Sequence, residues 1–308
     1  MKVVIAGGTG FLGQPLAASL ASEGREVVVL TRDAGRFSSR GARPGIRYVS
    51  WNPGEEHGGW VAELNGAAVV NLAGESIAAR RWSAAQKQRI LESRVQATRS
   101  LAHAIRGATR PAVAFVSGSA VGYYGPLHDE VVREDHAAGT DFLARVCERW
   151  ESEAIQAVGG ATRVVCIRTG LALEKDGGAL PRMLTPFRLG LGGPLGSGRQ
   201  YWPWIHRDDW VALVRWAIDT ATASGAINAT APQPVTNAEF TRALGRALHR
   251  PAFLPAPAFA LRILLGEMAD ALLLSGQNAV PAKAEQLGFT FQYGNLDAAL
   301  SAIFPGHS

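Results

Sequence analysis

The chain has 308 residues, 47% of them hydrophobic and 19% charged, with a formal net charge of +5 at pH 7. That length suffices for one large or two modest domains with a full core, and the composition excludes a disordered or fibrous protein. The most apolar late stretch, 252–274, is broken by Arg262, Glu267 and Asp270, which argues against a membrane span.

Residues 2–6 are a short β-branched run that reads as a buried parallel strand. It leads into Gly7-Gly8-Thr9-Gly10-Phe11-Leu12-Gly13, and residues 14–23 then show helical spacing up to Gly24. Strand, glycine turn and helix in that order make a dinucleotide cradle. Gly7 permits the tight turn, Gly10 lets backbone approach a pyrophosphate, and Gly13 lets the helix pack close to the strand. The helix N-terminus adds unpaired N–H groups and a partial positive charge. The same turn interrupts the early apolar run, so no signal peptide is expected and a cytoplasmic location follows.

Residues 25–30 read as the second strand, ending at Thr31-Arg32 where the adenosine ribose would lie. An NAD site usually carries an Asp or Glu at this tip. An acid there repels a 2′-phosphate, whereas an arginine grips it, so NADP is the expected cofactor. Further arginines gather at Arg36, Arg40, Arg43 and Arg47. Without aromatic interleaving or a recognition-helix pattern they read as a loop beside an anionic cofactor, not as a nucleic-acid patch.

A third strand is expected at 46–51 and a fourth at 67–74, whose end, Leu72-Ala73-Gly74, lets a cofactor lie against backbone. Ser83 caps a long helix reaching about residue 105 and carrying Arg94. The fifth strand, 112–116, opens into the stretch from Ser117 to Gly125. After a helix over about 141–158, a sixth strand at 163–168 ends in Thr169-Gly170. Six alternating units predict an α/β fold with a doubly wound parallel sheet. Its ligands belong at the carboxyl ends of the strands. The tips gathered there supply the expected cofactor set: Gly7, Thr9, Gly10, Phe11, Leu12, Gly13, Thr31, Arg32, Leu72, Ala73, Gly74, Ser117 and Arg168, with Arg94 beside them.

From Gly170 the character changes. Residues 177–199 are rich in glycine and proline, and helices are expected at 210–220, from Thr236-Asn237-Ala238-Glu239 through 248, and at 296–303. A short strand falls at 226–229. The chain thus divides into an NADP-binding domain, 1–169, and a smaller substrate lobe, 170–308, interleaved with the sheet and closing over the cofactor. Cys147 and Cys166 lack metal-ligand spacing and read as two reduced, buried thiols.

The glycine turn, the serine tip at Ser117-Ser119 and Ile205-His206-Arg207-Asp208-Asp209 resemble the extended short-chain dehydrogenase/reductases, the NAD(P)-dependent epimerases and dehydratases. The stretches 71–75, Arg81-Trp82, 117–125, 186–198, 204–209 and 235–248 resemble the atypical "epimerase family protein" branch, which has a C-terminal domain of unknown function. That likeness covers essentially the whole chain and marks a family-specific segment from about 235. It implies NADP binding after the second strand and cofactor contacts at Leu72, Ala73 and Arg94.

The superfamily's chemistry implies a Tyr-x-x-x-Lys pair on the helix after the serine strand. Residues 126–168 contain neither tyrosine nor lysine. Setting Glu151 against the family's following glutamate puts Leu143 and Cys147 at the two relay positions, and Arg94 replaces the family's helix asparagine. Ser119 remains as a candidate catalytic residue that bonds a substrate hydroxyl or carbonyl. Tyr123 and Tyr124 lie just beyond it, and an unassisted phenol, with a pKa near ~10, serves better as donor than as base. His206 reads as a hydrogen-bonded structural histidine, and Trp202 and Trp204 as core.

The expectation is an NADP(H)-binding oxidoreductase or epimerase-like protein, acting on a small polar substrate without the usual pair. The alternative is a catalytically degenerate NADP(H)-binding regulatory or redox-sensing protein. Neither needs nucleic acid, membrane or metal, and both allow a homodimer.

Overall fold

The computed structural model describes residues 1–39, 43–158 and 162–305, so Arg40 lies outside the described residues. Its main sheet is wholly parallel. β1 (Lys2–Ala6), β2 (Glu26–Thr31), β3 (Ile46–Ser50), β4 (Ala68–Asn71), β5 (Ala114–Ala120), β7 (Arg163–Thr169) and β11 (Gly225–Ala229) stand in the order β11-β7-β5-β4-β1-β2-β3. The runs Val3-Val4-Ile5 and Val27-Val28-Val29 are fully enclosed because helices cover both faces of the sheet.

On one face α1 (Gly13–Ser22) packs beside α6 (Arg207–Asp219), and on the other α3 (Ala84–Arg106) packs beside α4 (Phe142–Ile155). The chain moves outward from β1 through β2 to β3, then returns to the opposite side of β1 as β4. That reversal opens a crevice at the carboxyl ends of β1 and β4.

The sheet has seven strands where six were expected. β11, assigned from sequence to the lobe, pairs in parallel with β7 from Gly225↔Val165 to Ala229↔Thr169. The nucleotide-binding layer therefore continues past residue 169, and α6 and β11 return to it from within the lobe. α6 also begins at Arg207, three residues before the predicted start. His206 caps it, its Nδ1 accepting the Asp208 N–H at 3.1 Å. β5 likewise runs on through Ser117 and Ser119, which thus stand within the strand. The N-caps read from sequence are present. Ser83 accepts from the Gln86 N–H, and Thr236 forms a capping box with Glu239 ahead of α7 (Asn237–Leu248).

α2 (Ala34–Ser39) follows β2, and α5 (Leu180–Arg188) arises within the glycine- and proline-rich stretch that predicted no helix. Three short ladders hold the lobe: β6 (Val131–Val132) with β13 (Asn278–Ala279), β8 (Leu171–Leu173) with β10 (Trp204–His206), and β9 (Tyr201–Trp202) with β12 (Val235–Thr236). Trp202 and Trp204 are buried with Phe240 in the lobe's own core, as expected. Among the described residues no helix is long and apolar enough to cross a membrane.

Candidate active site

The glycine turn is shaped by close backbone contacts. Gly7 has φ +78°, and a Cβ on it would stand 2.7 Å from the carbonyl carbon and oxygen of Leu72 at the tip of β4. A Cβ on Gly13 would meet the Gly8 Cα at 2.6 Å. Both positions therefore need glycine, and the crevice between β1 and β4 is closed down to backbone. The Gly10 N–H bonds the Gly7 carbonyl at 3.0 Å. Leu12 caps α1 without a side-chain bond, and no acid stands in the first turn. The helix therefore presents its positive end to an anion, which fits a pyrophosphate. Thr9 bounds the turn, its carbonyl accepting from the Gln14 amide at 2.8 Å. Phe11 reaches across to the lobe, where Gly177 and Gly178 lie against its ring and Arg207 stands 5.4 Å from the ring centre.

At the end of β2, Thr31 is half-buried and Arg32 is exposed, with no partner among the described residues. At the end of β4, Asn71 is fully buried. Its Nδ2 donates to Thr98 Oγ1 at 2.8 Å, and its Oδ1 accepts the Ala73 N–H at 3.1 Å. This locks Leu72-Ala73-Gly74 onto α3. Arg94, four residues before Thr98, donates to the carbonyls of Glu75 and Ile90, both at 3.0 Å. Its guanidinium lies over the Trp150 ring at 5.1 Å and under Gly74, where a Cβ would be 3.2 Å from Arg94 Cζ. Burial pulls its pKa below the ordinary arginine value, with Cys147 and Glu75 acting the other way. A fixed cation thus stands beside the expected nicotinamide end of the crevice.

A chain of buried polar groups lies beneath that end. Arg168 donates from Nε and Nη2 to the two carboxylate oxygens of Glu151, both at 2.9 Å. Ser119 donates to Glu151 Oε1 at 2.6 Å. Arg168 Nη1 also donates to the Tyr124 hydroxyl at 3.0 Å and to the Glu134 carbonyl at 3.1 Å, and Tyr124 donates to Asn228 Oδ1 at 2.7 Å. Burial disfavours charge on Arg168, but its bonds to Glu151 prevail and raise its pKa above the ordinary arginine value.

This network corrects several expectations. Arg168, placed with the cofactor residues, is 4% exposed and has its donors committed to Glu151, Tyr124 and the Glu134 carbonyl. Ser117 is fully buried, its hydroxyl turned to the Gly118 carbonyl. Tyr124 is enclosed too. Its hydroxyl is committed to Asn228 and Arg168, and burial pushes its pKa up to about 12 against their opposing pull. Tyr123 is only partly buried, with the Arg168 guanidinium 3.5 Å from its ring centre. Ser119 is 4% exposed, and its proton is already given to a carboxylate that takes the guanidinium at both oxygens. Its remaining bonding capacity is to accept.

Glu151, the residue that matches the family's glutamate after the relay positions, organises this network. Its signal is a carboxylate in the inward stripe of α4, with Ala144, Cys147 and Ala154.

The two relay positions are apolar. Leu143 packs against Gly122, where a Cβ would lie 3.3 Å from its own. Burial, and then the Glu151 charge, push the Cys147 thiol up to about 12, while the Ala120 backbone, Arg94 and Ser119 oppose them. A thiol so held cannot relay protons near neutral pH. Cys147→Ala is therefore expected to leave turnover within about twofold of wild type. A thousandfold loss of turnover with cofactor affinity intact would show instead that the thiol takes part.

His206 is 3% exposed and burial lowers its pKa, which suits a neutral acceptor at the α6 cap. Asp209 beside it accepts the Gln292 and Tyr293 N–H groups, each at 2.8 Å, and so ties down the chain before the last helix. Both are structural. Among the described residues no His, Cys, Asp and Glu cluster could hold a metal ion.

An uncapped glycine turn at the switch point of a parallel sheet, under a second lobe, defines a Rossmann protein of the epimerase and short-chain dehydrogenase class. Residues 3–229 match the family described as "NAD dependent epimerase/dehydratase family", and 256–303 match a domain of unknown function, DUF1731. The chain belongs to that NAD dependent epimerase/dehydratase family.

A Mycobacterium tuberculosis epimerase family protein is 43% identical over 298 residues, covering 97% of this chain and 96% of the relative. The crystal structure of human epimerase family protein SDR39U1 with NADPH superposes with a TM-score of 0.88 at 36% identity, covering 99% of this chain and 100% of that one. A Corynebacterium glutamicum structure described as a nucleoside-diphosphate sugar epimerase is 35% identical with a TM-score of 0.79. It covers 99% of this chain and 58% of its own.

Proposed function

We propose that this chain binds NADP(H) and transfers hydride between it and a small polar carbonyl or hydroxyl compound, with Tyr123 handling the proton. The observation that carries the reading is the side-chain-free cradle at Gly7, Gly10 and Gly13 together with Arg32, which has no partner among the described residues and stands at the end of β2, where an NAD site has an acid. The human relative crystallised with NADPH supports it. The N-terminus of α1, with Thr9, Phe11 and Leu12, holds the pyrophosphate, and Thr31 and Arg32 hold the ribose 2′-phosphate. The backbone of Leu72, Ala73 and Gly74 walls the cofactor, and Arg94 sets positive charge beside it. The nicotinamide, when bound, supplies or takes the hydride. Tyr123 carries the proton at its phenol oxygen, and Ser119 accepts from a hydroxyl of the ligand. Such chemistry suits a cytoplasmic enzyme.

The apolar relay positions at Leu143 and Cys147 favour a second reading, a redox-responsive binding protein that holds NADP(H) without turnover. Both readings require the same cofactor preference. Calorimetry should show NADPH bound at least tenfold tighter than NADH, about 1.4 kcal/mol, with most of that preference lost in Arg32→Ala. Equal affinity of the wild type for both cofactors would sink the assignment. Oxidation of NADPH with any member of a panel of carbonyl compounds supports the enzyme. Cofactor binding with no turnover across that panel supports the second reading.

A further inference from the structure

The connection from β4 to α3, residues 75–83, carries the Arg81-Trp82 pair. It begins at the nicotinamide end of the crevice, where Arg94 holds the Glu75 carbonyl. Trp82 is fixed at both edges. Its Nε1 donates to the Ile77 carbonyl at 2.8 Å, and its ring meets Phe142 edge-on with centres 5.1 Å apart. Phe142 opens α4 immediately before Leu143, and Leu143 packs on Gly122, the neighbour of Tyr123. The lobe clamps this connection from two sides. Arg182 on α5 donates to the Ala78 carbonyl at 2.7 Å, and Lys87 in the first turn of α3 pairs with Glu267 at 2.9 Å.

Arg81 leaves this clamp exposed and with its charge unspent. Its guanidinium lies over Gly266, where α8 (Ala258–Leu265) ends. Gly266 has φ +62°, and a Cβ there would stand 3.0 Å from Arg81 Nε and 3.1 Å from Nη2. The negative end of α8 helps to hold the cation there. Even so, Arg81 has no hydrogen bond or ion pair among the described residues. The acids of the neighbouring segments are already taken: Glu267 by Lys87, Asp270 by Arg262 at 2.8 Å, and Glu75 by the Gln86 amide at 2.8 Å. Arg80, beside it, is exposed and has no partner among the described residues either.

We propose, resting on the hydride-transfer reading, that Arg81 binds an anionic group, carboxylate or phosphate, on the hydroxy or carbonyl compound that reacts at Tyr123. A guanidinium offers five N–H donors in a rigid fork that matches either group, and here none is committed to the protein. Trp82 and Gly266 fix where the fork stands, and Arg80 and Arg182 add to a positive mouth that draws such an anion in.

Calorimetry on the NADPH-loaded protein with glycerol 3-phosphate, glycerate and glycerol reads the site without turnover, because cofactor and ligand are both reduced. Glycerol 3-phosphate or glycerate should bind at least about tenfold tighter than glycerol, and the tighter of the two names the anion. Arg81→Gln should remove that advantage with NADPH affinity unchanged, and Arg81→Lys should keep part of it. Arg106→Gln, which removes the same charge at the far end of α3, should change nothing. The proposal is overturned if neither anion binds tighter than glycerol, if the advantage survives Arg81→Gln, or if Arg106→Gln removes it too. The same variants on the carbonyl panel tell this site apart from the hydride-transfer reading. Anion binding through Arg81 without NADPH oxidation defeats that reading and keeps Arg81 as the anion site of a redox-responsive binding protein. Equal oxidation with neutral and charged carbonyl compounds, unaffected by Arg81→Gln, defeats the site and keeps the reading.

Discussion

Replacing Arg168 with methionine is expected to destabilise the protein by about 3–5 kcal/mol in urea unfolding. The loss exceeds that of an ordinary surface pair because Glu151 keeps its burial while its two guanidinium bonds vanish. The Tyr124 hydroxyl and the Glu134 carbonyl lose a donor in the same substitution. A buried ion pair adds little net stability over a well-packed apolar pair, whereas half of one is costly. Glu151→Met/Arg168→Met should therefore be more stable than Arg168→Met alone, although it deprives Ser119 of its acceptor. A single variant within about 1 kcal/mol of wild type, or a double variant as unstable as the sum of the two singles, would show that this network does not hold β5, β7 and α4 together.

Tyr123→Phe is expected to lower turnover on an identified substrate by about 10²- to 10⁴-fold while NADPH affinity barely changes. Hydride delivery to a carbonyl leaves an alkoxide that needs a proton, and neither Leu143 nor Cys147 can provide one. Of the two adjacent phenols, Tyr124 donates to Asn228 and accepts from Arg168, whereas Tyr123 is partly open and lies against that guanidinium. Tyr124→Phe should thus appear in stability, at about 1–3 kcal/mol, because it leaves the buried Asn228 Oδ1 without its donor and takes one of the two acceptors from Arg168 Nη1. Turnover of the folded Tyr124→Phe protein should change little. If Tyr123→Phe turns over like wild type, the phenol assignment is wrong. If Tyr124→Phe alone loses activity with its melting temperature unchanged, the two roles are reversed.

The sequence by itself determined the nucleotide cradle, the first strands and helices, the capped helix starts and the absence of a Tyr–Lys relay. These are local properties. A glycine that no side chain can replace, a β-branched run and a cap that accepts from the residue three places on depend on neighbours in the chain. A tyrosine and a lysine missing from 126–168 cannot be restored there by any packing.

Only the tertiary structure decided which strand-end residues face the crevice. Arg32 and Arg168 both stand near the ends of parallel strands. One is exposed, whereas the other turns inward to Glu151, seventeen positions back on α4. Tyr123 and Tyr124 are consecutive in one tight turn, so their unlike fates depend on what each side of that turn meets. For Tyr124 the partner is Asn228, 104 residues away on the strand that joined the sheet unexpectedly. Pairings over that distance leave no periodic trace in the chain, because burial and bond geometry select them only once the sheet has closed.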